Sequence, residues 1–155
     1  MRTTAENAEL ALLLEVSSTP KPGNVDRERE YPDLRFEHFV AGAVGAREGF
    51  QGAAGGGAVG EAFRRAIAGM SEQSGGNTQF GAILLVTPLV RAAGSGDLSK
   101  AGIESIVAGT TAEDAANFYR AFEYVDVAVD DPPEGMDDLD VRRGEDAVTA
   151  VHERG

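Results

Sequence analysis

One stretch of this sequence, GAILLVTPLV, has the apolar density of a buried β-strand, and no second stretch exists for it to pair with. A lone strand would leave its amides unmatched, and unmatched buried amides are costly. The segments around it carry helical periodicity, so the run reads as a further helix, kinked near Pro88. TTAENAELALLLEV opens with a capping-box pair, Thr3 and Glu6, and predicts a helix ending near Val16 to Ser18. Pro20 and Pro22 then force an extended exit. RFEHFVAGAVGAREGF places Phe36, Phe39, Val40, Ala43 and Val44 at helical spacing among small residues that permit close approach. QGAAGGG reads as a flexible break. VGEAFRRAIAGMSEQS repeats the pattern through Val59, Phe63, Ile67 and Met70.

LSKAGIESIVAG is a short helix. Thr110 and Thr111 with Glu113 and Asp114 form a second capping signal, opening AEDAANFYRAFEYVDVAV with an apolar stripe of Phe118, Phe122, Val125 and Val129. DDPPEGMDDLD breaks structure, and VRRGEDAVTAVHERG begins an element that the chain end cuts short. The expected fold is an all-α, single globular bundle of about six helices with Gly/Pro-rich connecting loops. At 155 residues one domain, 1–155, is the natural count.

The formal charge of −12, from 26 acidic and 14 basic side chains, argues against a nonspecific nucleic-acid binder or an anionic-membrane binder, since either polyanion would be repelled. Lys21 and Lys100 are the two lysines; the other basic residues are arginine. Acid excess with arginine in place of lysine points to a chain adapted to high salt, where counterions screen self-repulsion. The rival reading is an ordinary acidic protein with an arginine-rich codon bias. The absence of cysteine excludes disulfides, thiolate metal sites and cysteine nucleophiles. No signal-peptide pattern is present and the longest apolar run is too short to span a bilayer, so a soluble, cytoplasmic protein is expected.

Two loops couple permissive backbone with polar side chains. In PKPGNVDR, prolines fix the direction of Lys21, Gly23 allows an unusual backbone angle and Asn24 offers donor and acceptor together. A lysine so held suits phosphate, although a helix stop and surface turn explains the same residues. In SGGNTQFG, Gly75 and Gly76 precede a helix N-terminus, an arrangement that binds anions, and Asn77 and Thr78 are placed to cap that helix and also to hold a phosphate or its magnesium, although Asn and Thr cap helices routinely. It is not a Walker loop, because the GK[ST] element is missing.

Taken together, P-K-P-G-N-V-D-R after L-L-E-V, then G-N-T-Q-F-G-A-I-L-L and T-A-E-D-A-A-N-F-Y-R-A-F, resemble the triphosphoribosyl-dephospho-coenzyme A synthase family, over Ala8 to about Asp140. The resemblance implies an all-helical pentosyltransferase that joins ATP to 3'-dephospho-coenzyme A, releases adenine, and makes the precursor of a lyase or decarboxylase prosthetic group. Family chains run longer, so 1–155 corresponds to a shortened member or an N-terminal part, with 141–155 truncated or frayed. Where members often carry H-K after N-T, this chain has Gln79 and Phe80.

On that reading, displacing adenine builds positive charge at C1', as in glycoside cleavage. Glu15 takes the general-base or cation-stabilising role. Lys21, Gly23, Gly75, Gly76, Asn77 and Thr78 hold phosphates, and Asn24 orients ribose or phosphate. Magnesium is expected to offset the triphosphate charge, with Asp26, Glu113 and Asp114 as candidate ligands. Helix capping is the competing use of Glu113 and Asp114. His38, among phenylalanines, reads as packing, His152 lacks ligand-spaced partners, and Asp130, Asp131, Asp137 and Asp138 read as solvated surface. The expected partners are ATP and a dephospho-CoA-like molecule. Two further readings are a non-catalytic nucleotide- or phosphoribosyl-binding protein derived from the family, and a half-site completed by a second copy (a homo-oligomer) or a C-terminal partner chain.

Overall fold

The computed structural model describes residues 1–137 and 140–154. Asp138 lies outside the described residues. The described chain is all-α: α1 (Thr4–Ser17), α2 (Phe36–Gly45), α3 (Arg47–Ala54), α4 (Val59–Met70), α5 (Phe80–Gly94), α6 (Lys100–Ala108), α7 (Ala112–Arg120) and α8 (Glu145–Arg154), with 3₁₀ turns at Ala121–Glu123 and Val141–Arg143. Extended pairing among the described residues is limited to an isolated bridge between Tyr31 and Leu34. No described helix is long and apolar enough to cross a membrane.

The caps follow the sequence. The Thr3 hydroxyl accepts from the Glu6 N–H while the Glu6 carboxylate accepts from the Thr3 N–H, and α1 ends at Ser17 just before the proline-rich exit. Ser99 caps α6, and Thr111 with Asp114 closes a second capping box on α7. GAILLVTPLV is helical, running unbroken through Pro88 as part of α5. Its core face is Phe80, Ile83, Thr87 and Val90, spaced by three or four residues, whereas Leu84, Leu85 and Leu89 on the other side are exposed.

Three boundaries differ from expectation. RFEHFVAGAVGAREGF is two helices that break at Ala46, and the second continues through Gln51–Ala54, so only Gly55–Ala58 of the glycine-rich stretch is loop. The AEDAANFYRAFEYVDVAV segment leaves α-geometry after Arg120 and tightens into a 3₁₀ turn, so Val129 is not on the stripe. Phe118, Phe122 and Val125 still reach the core, because they precede, lie within or closely follow that turn.

The centre of the bundle is α4, held against α2 and α3 by glycines. A methyl on Gly45 would lie 2.1 Å from the Gly69 carbonyl oxygen, and one on Gly49 2.4 Å from that of Ala62. Backbone meets backbone at this crossing, which alanine-sized side chains would prevent. Beneath it Phe50, Phe63, Ile67 and Met70 are fully or almost fully buried. Phe63, Phe80, Phe118 and Phe122 form an aromatic cluster with edge-to-face and stacked pairs at centroid separations from 4.9 to 6.4 Å, within the range where such pairs add stability beyond area.

Candidate active site

The end of α1, the start of α2 and the 71–79 connection meet at one end of the bundle. Glu15 occupies the last turn of α1 and forms an ion pair with Lys21, whose side chain is 14% exposed against 41% for the glutamate. The Lys21 ammonium also stands 5.9 Å from the centroid of the Phe39 ring on α2, within cation–π reach. Packing and an ion pair therefore both aim the lysine, as two flanking prolines suggest; the Thr19–Pro20 peptide is cis.

Asp26 closes the loop that carries Lys21. One carboxylate oxygen accepts from the Lys21 N–H at 2.8 Å, the other from the Glu28 and Arg29 N–H groups at 2.8 and 2.9 Å, and the residue is 3% exposed. These backbone hydrogen bonds hold its carboxyl below the usual aspartate range. Gly23 takes a φ of 79° beside it, a left-handed angle that favours glycine. The Asn24 side chain turns inward to its own neighbour, accepting from the Val25 N–H at 2.8 Å.

The second loop also leans on α2. A methyl on Gly75 would fall 2.2 Å from His38 Nδ1, and one on Gly42 2.6 Å from Thr78 Oγ1. His38 thus does more than pack: its Nδ1 accepts from the Arg35 N–H at 3.2 Å, capping α2, and its ring abuts the glycine loop. Asn77 caps α5 by accepting from the Phe80 N–H at 3.1 Å, while Thr78 caps nothing. Sequence reasoning assigns Gln79 no role in the site. It is 4% exposed, and its Nε2 donates to the Leu12 carbonyl of α1 at 3.2 Å, so this loop touches α1 one turn before Glu15. Its placement after N-T marks the position, but burial is not readable there.

Four buried side-chain N or O atoms among the described residues lack a hydrogen-bond partner, and three belong here: Lys21 Nζ, which is ion-paired with Glu15, and Thr78 Oγ1 and Gln79 Oε1, which have no partner of either kind. The fourth is Arg47 Nε on α3. An orphaned buried polar atom costs about 1–3 kcal/mol. Concentrated on adjoining loops, such atoms mark a place where another molecule can supply partners.

Glu113 and Asp114 lie elsewhere. Asp114 accepts from the Gly60 N–H at 2.7 Å and from the Thr111 N–H and hydroxyl at 2.9 Å, stapling the starts of α4 and α7. Gly60 and Met70 stand at opposite ends of α4, about 15 Å apart at 1.5 Å per residue, and Met70 Sδ is what the Gln79 N–H meets. Glu113 is bound by Arg120 at 2.8 Å and approached by His152 at 3.4 Å. The structure therefore groups Glu15, Lys21, Gly23, Asn24, Asp26, Gly75, Gly76, Asn77 and Thr78 at one end, and leaves Glu113 and Asp114 at the other. No group of three acids or histidines placed to hold a metal exists among the described residues. Asp26 and Asp114 each have about three of four lone-pair sites taken.

Comparison with curated proteins and with solved structures returned no match. The family model for CitG, ATP:dephospho-CoA triphosphoribosyl transferase, matches residues 1–155, the whole chain. The two loops gathered at the end of the bundle are among the segments that carry the resemblance in the sequence. The chain belongs to the ATP:dephospho-CoA triphosphoribosyl transferase family.

Proposed function

We propose that this chain binds ATP between the PKPGN loop and the GGNT loop and transfers its triphosphoribosyl group to a dephospho-CoA-like acceptor, releasing adenine. The observation that carries this reading is the clustering on the two loops of two buried atoms without a partner, Thr78 Oγ1 and Gln79 Oε1, with the buried Lys21 ammonium, whose charge is met by the Glu15 carboxylate. In the transfer, the C1'–N9 bond of ATP breaks and a C1'–O bond to an acceptor hydroxyl forms. The hydroxyl proton leaves to a base and adenine departs with a proton, so atoms and charge balance. Glu15 is the carboxylate beside Lys21 and takes the hydroxyl proton or faces the developing C1' cation. Lys21 supplies a point charge to the phosphates, and the Thr78 hydroxyl and the Gly75 and Gly76 backbone line their path. Asn24 orients ribose or phosphate once its hold on Val25 is released.

Lys21 Nζ, Thr78 Oγ1 and Gln79 Oε1 are all sealed in this conformation, so the loops part to admit the nucleotide. Both carry a glycine at positive φ, Gly23 at 79° and Gly76 at 71°, and glycine has the widest choice of backbone conformations. Magnesium is best supplied as the counterion of the triphosphate, held by phosphate oxygens and water. Asp26 and Asp114 each have most of their lone-pair sites taken by donors of the protein and Glu113 is paired with Arg120, which makes all three poor ligands for it.

The test is chromatographic detection of free adenine after mixing the protein with ATP, magnesium and dephospho-CoA. Adenine appearing in step with acceptor consumption is expected. ATP binding without adenine release would instead favour a non-catalytic nucleotide-binding protein, and release restored by a longer family chain would favour a shared site.

A further inference from the structure

The opposite end of α4 carries an unassigned feature. A cavity of about 390 Å³ is lined there by Gly57, Arg91, Ser105, Thr110 and Asp114, among others. A second, of about 230 Å³, adjoins it through Val59, Thr110 and Asp114 and is walled by Phe63, Leu84 and Phe118. The first has a mixed lining that includes both charged groups; the second is mainly apolar.

The two charged groups facing the first cavity are in unlike conditions. Asp114 is engaged by Gly60 and Thr111. Arg91, partly buried on α5, makes no hydrogen bond or ion pair with any described residue. A guanidinium offers five donors in a rigid plane that matches a carboxylate or phosphate. Asp114 limits what it accepts: one cation beside one fixed anion suits a head of low charge and repels a triphosphate.

We propose that these adjoining cavities form a second ligand site, separate from the nucleotide site, for a small amphipathic anion. Its carboxylate or phosphate head sits on Arg91, and its short apolar tail lies between Phe63, Leu84 and Phe118. The inference does not depend on the transfer reaction.

The experiment is calorimetric titration of the whole chain with octanoate, octyl phosphate, acetate and inorganic phosphate. Saturable binding of an octyl ligand is expected, at least tenfold tighter than its bare head, and the better of the two octyl compounds identifies the head. Arg91→Gln should weaken it at least tenfold, with Arg91→Lys intermediate and ATP binding unchanged. Leu84→Ser, at a partly exposed position that the fold tolerates, should weaken the octyl ligands and leave the bare heads unaffected. Octyl binding unaltered in Arg91→Gln of native circular dichroism, bare heads binding as tightly as octyl ligands, or no saturable octyl binding would overturn the proposal.

Discussion

Replacing Gly45 by alanine tests whether α2 and α4 truly meet backbone to backbone. The new methyl would sit 2.1 Å from the Gly69 carbonyl oxygen and 2.6 Å from its carbon, against 3.4 Å or more for ordinary contact, a shortfall of 1.3 Å for the oxygen. No side chain stands there to swing away, so whole helices have to separate. Separation would disturb Phe50, Ile67 and Met70, all 0% exposed. Overpacking of this kind costs about 1–3 kcal/mol, and the severity of the approach places it at the upper end. Alanine returns about 1 kcal/mol as the better helix former. The net is a loss of about 2 kcal/mol, or roughly 4–8 °C in Tm for a domain of this size. Gly52→Ala is the matched control: it lies inside α3 with nothing within 4 Å of the new methyl, and should gain about 0.5–1 kcal/mol. Thermal unfolding followed by circular dichroism reads both. If Gly45→Ala rises in Tm alongside Gly52→Ala, the close crossing, and with it the placement of the 71–79 loop, is refuted.

Lys21→Ala should weaken ATP binding by roughly 1.5–3 kcal/mol, about ten- to hundredfold, the worth of a charge-assisted bond; calorimetry giving an unchanged affinity removes Lys21 from the site. Gly42→Ala drives a methyl to 2.6 Å from Thr78 Oγ1, and should reduce ATP affinity with little change in helix content, measured on the same sample. Burial raises the Asp114 pKa, but hydrogen bonds from Gly60 and Thr111 outweigh it, so the net shift is downward from 3.8. A depressed carboxylate stabilises above its unfolded pKa and loses that contribution as pH falls through the folded value, so wild-type Tm should drop from about pH 5 downward. Asp114→Asn should be less stable at neutral pH and flatter across that window; parallel curves would contradict the staple. Self-repulsion at −12 predicts that unfolding midpoints rise from dilute buffer to molar KCl, as the screening length falls from about 10 Å at 0.1 M to 3 Å at 1 M.

Helix starts are legible because caps are local: Thr3 with Glu6 and Thr111 with Asp114 satisfy their own turns, three residues apart. The helical state of GAILLVTPLV follows from the lack of a pairing partner. What no window can show is the glycine crossing, since Gly45 and Gly69 gain meaning from each other across the fold. The same limit explains His38 and Gln79. Each looks local, and each joins the second loop to a different helix. Asp26 reads in sequence as a candidate magnesium ligand, yet its carboxylate is engaged by the backbone of its own loop, a role set by where the turn places three N–H groups.

The proposed transfer needs one site shared by the proline-rich and glycine-rich loops. A crystal structure with ATP and magnesium bound tests it most directly. It should place the triphosphate within hydrogen-bond distance of Lys21 Nζ and the Gly75–Thr78 segment, with the ribose C1' facing Glu15. A nucleotide bound away from either loop, with Lys21 still paired to Glu15 and both loops unmoved, would contradict it.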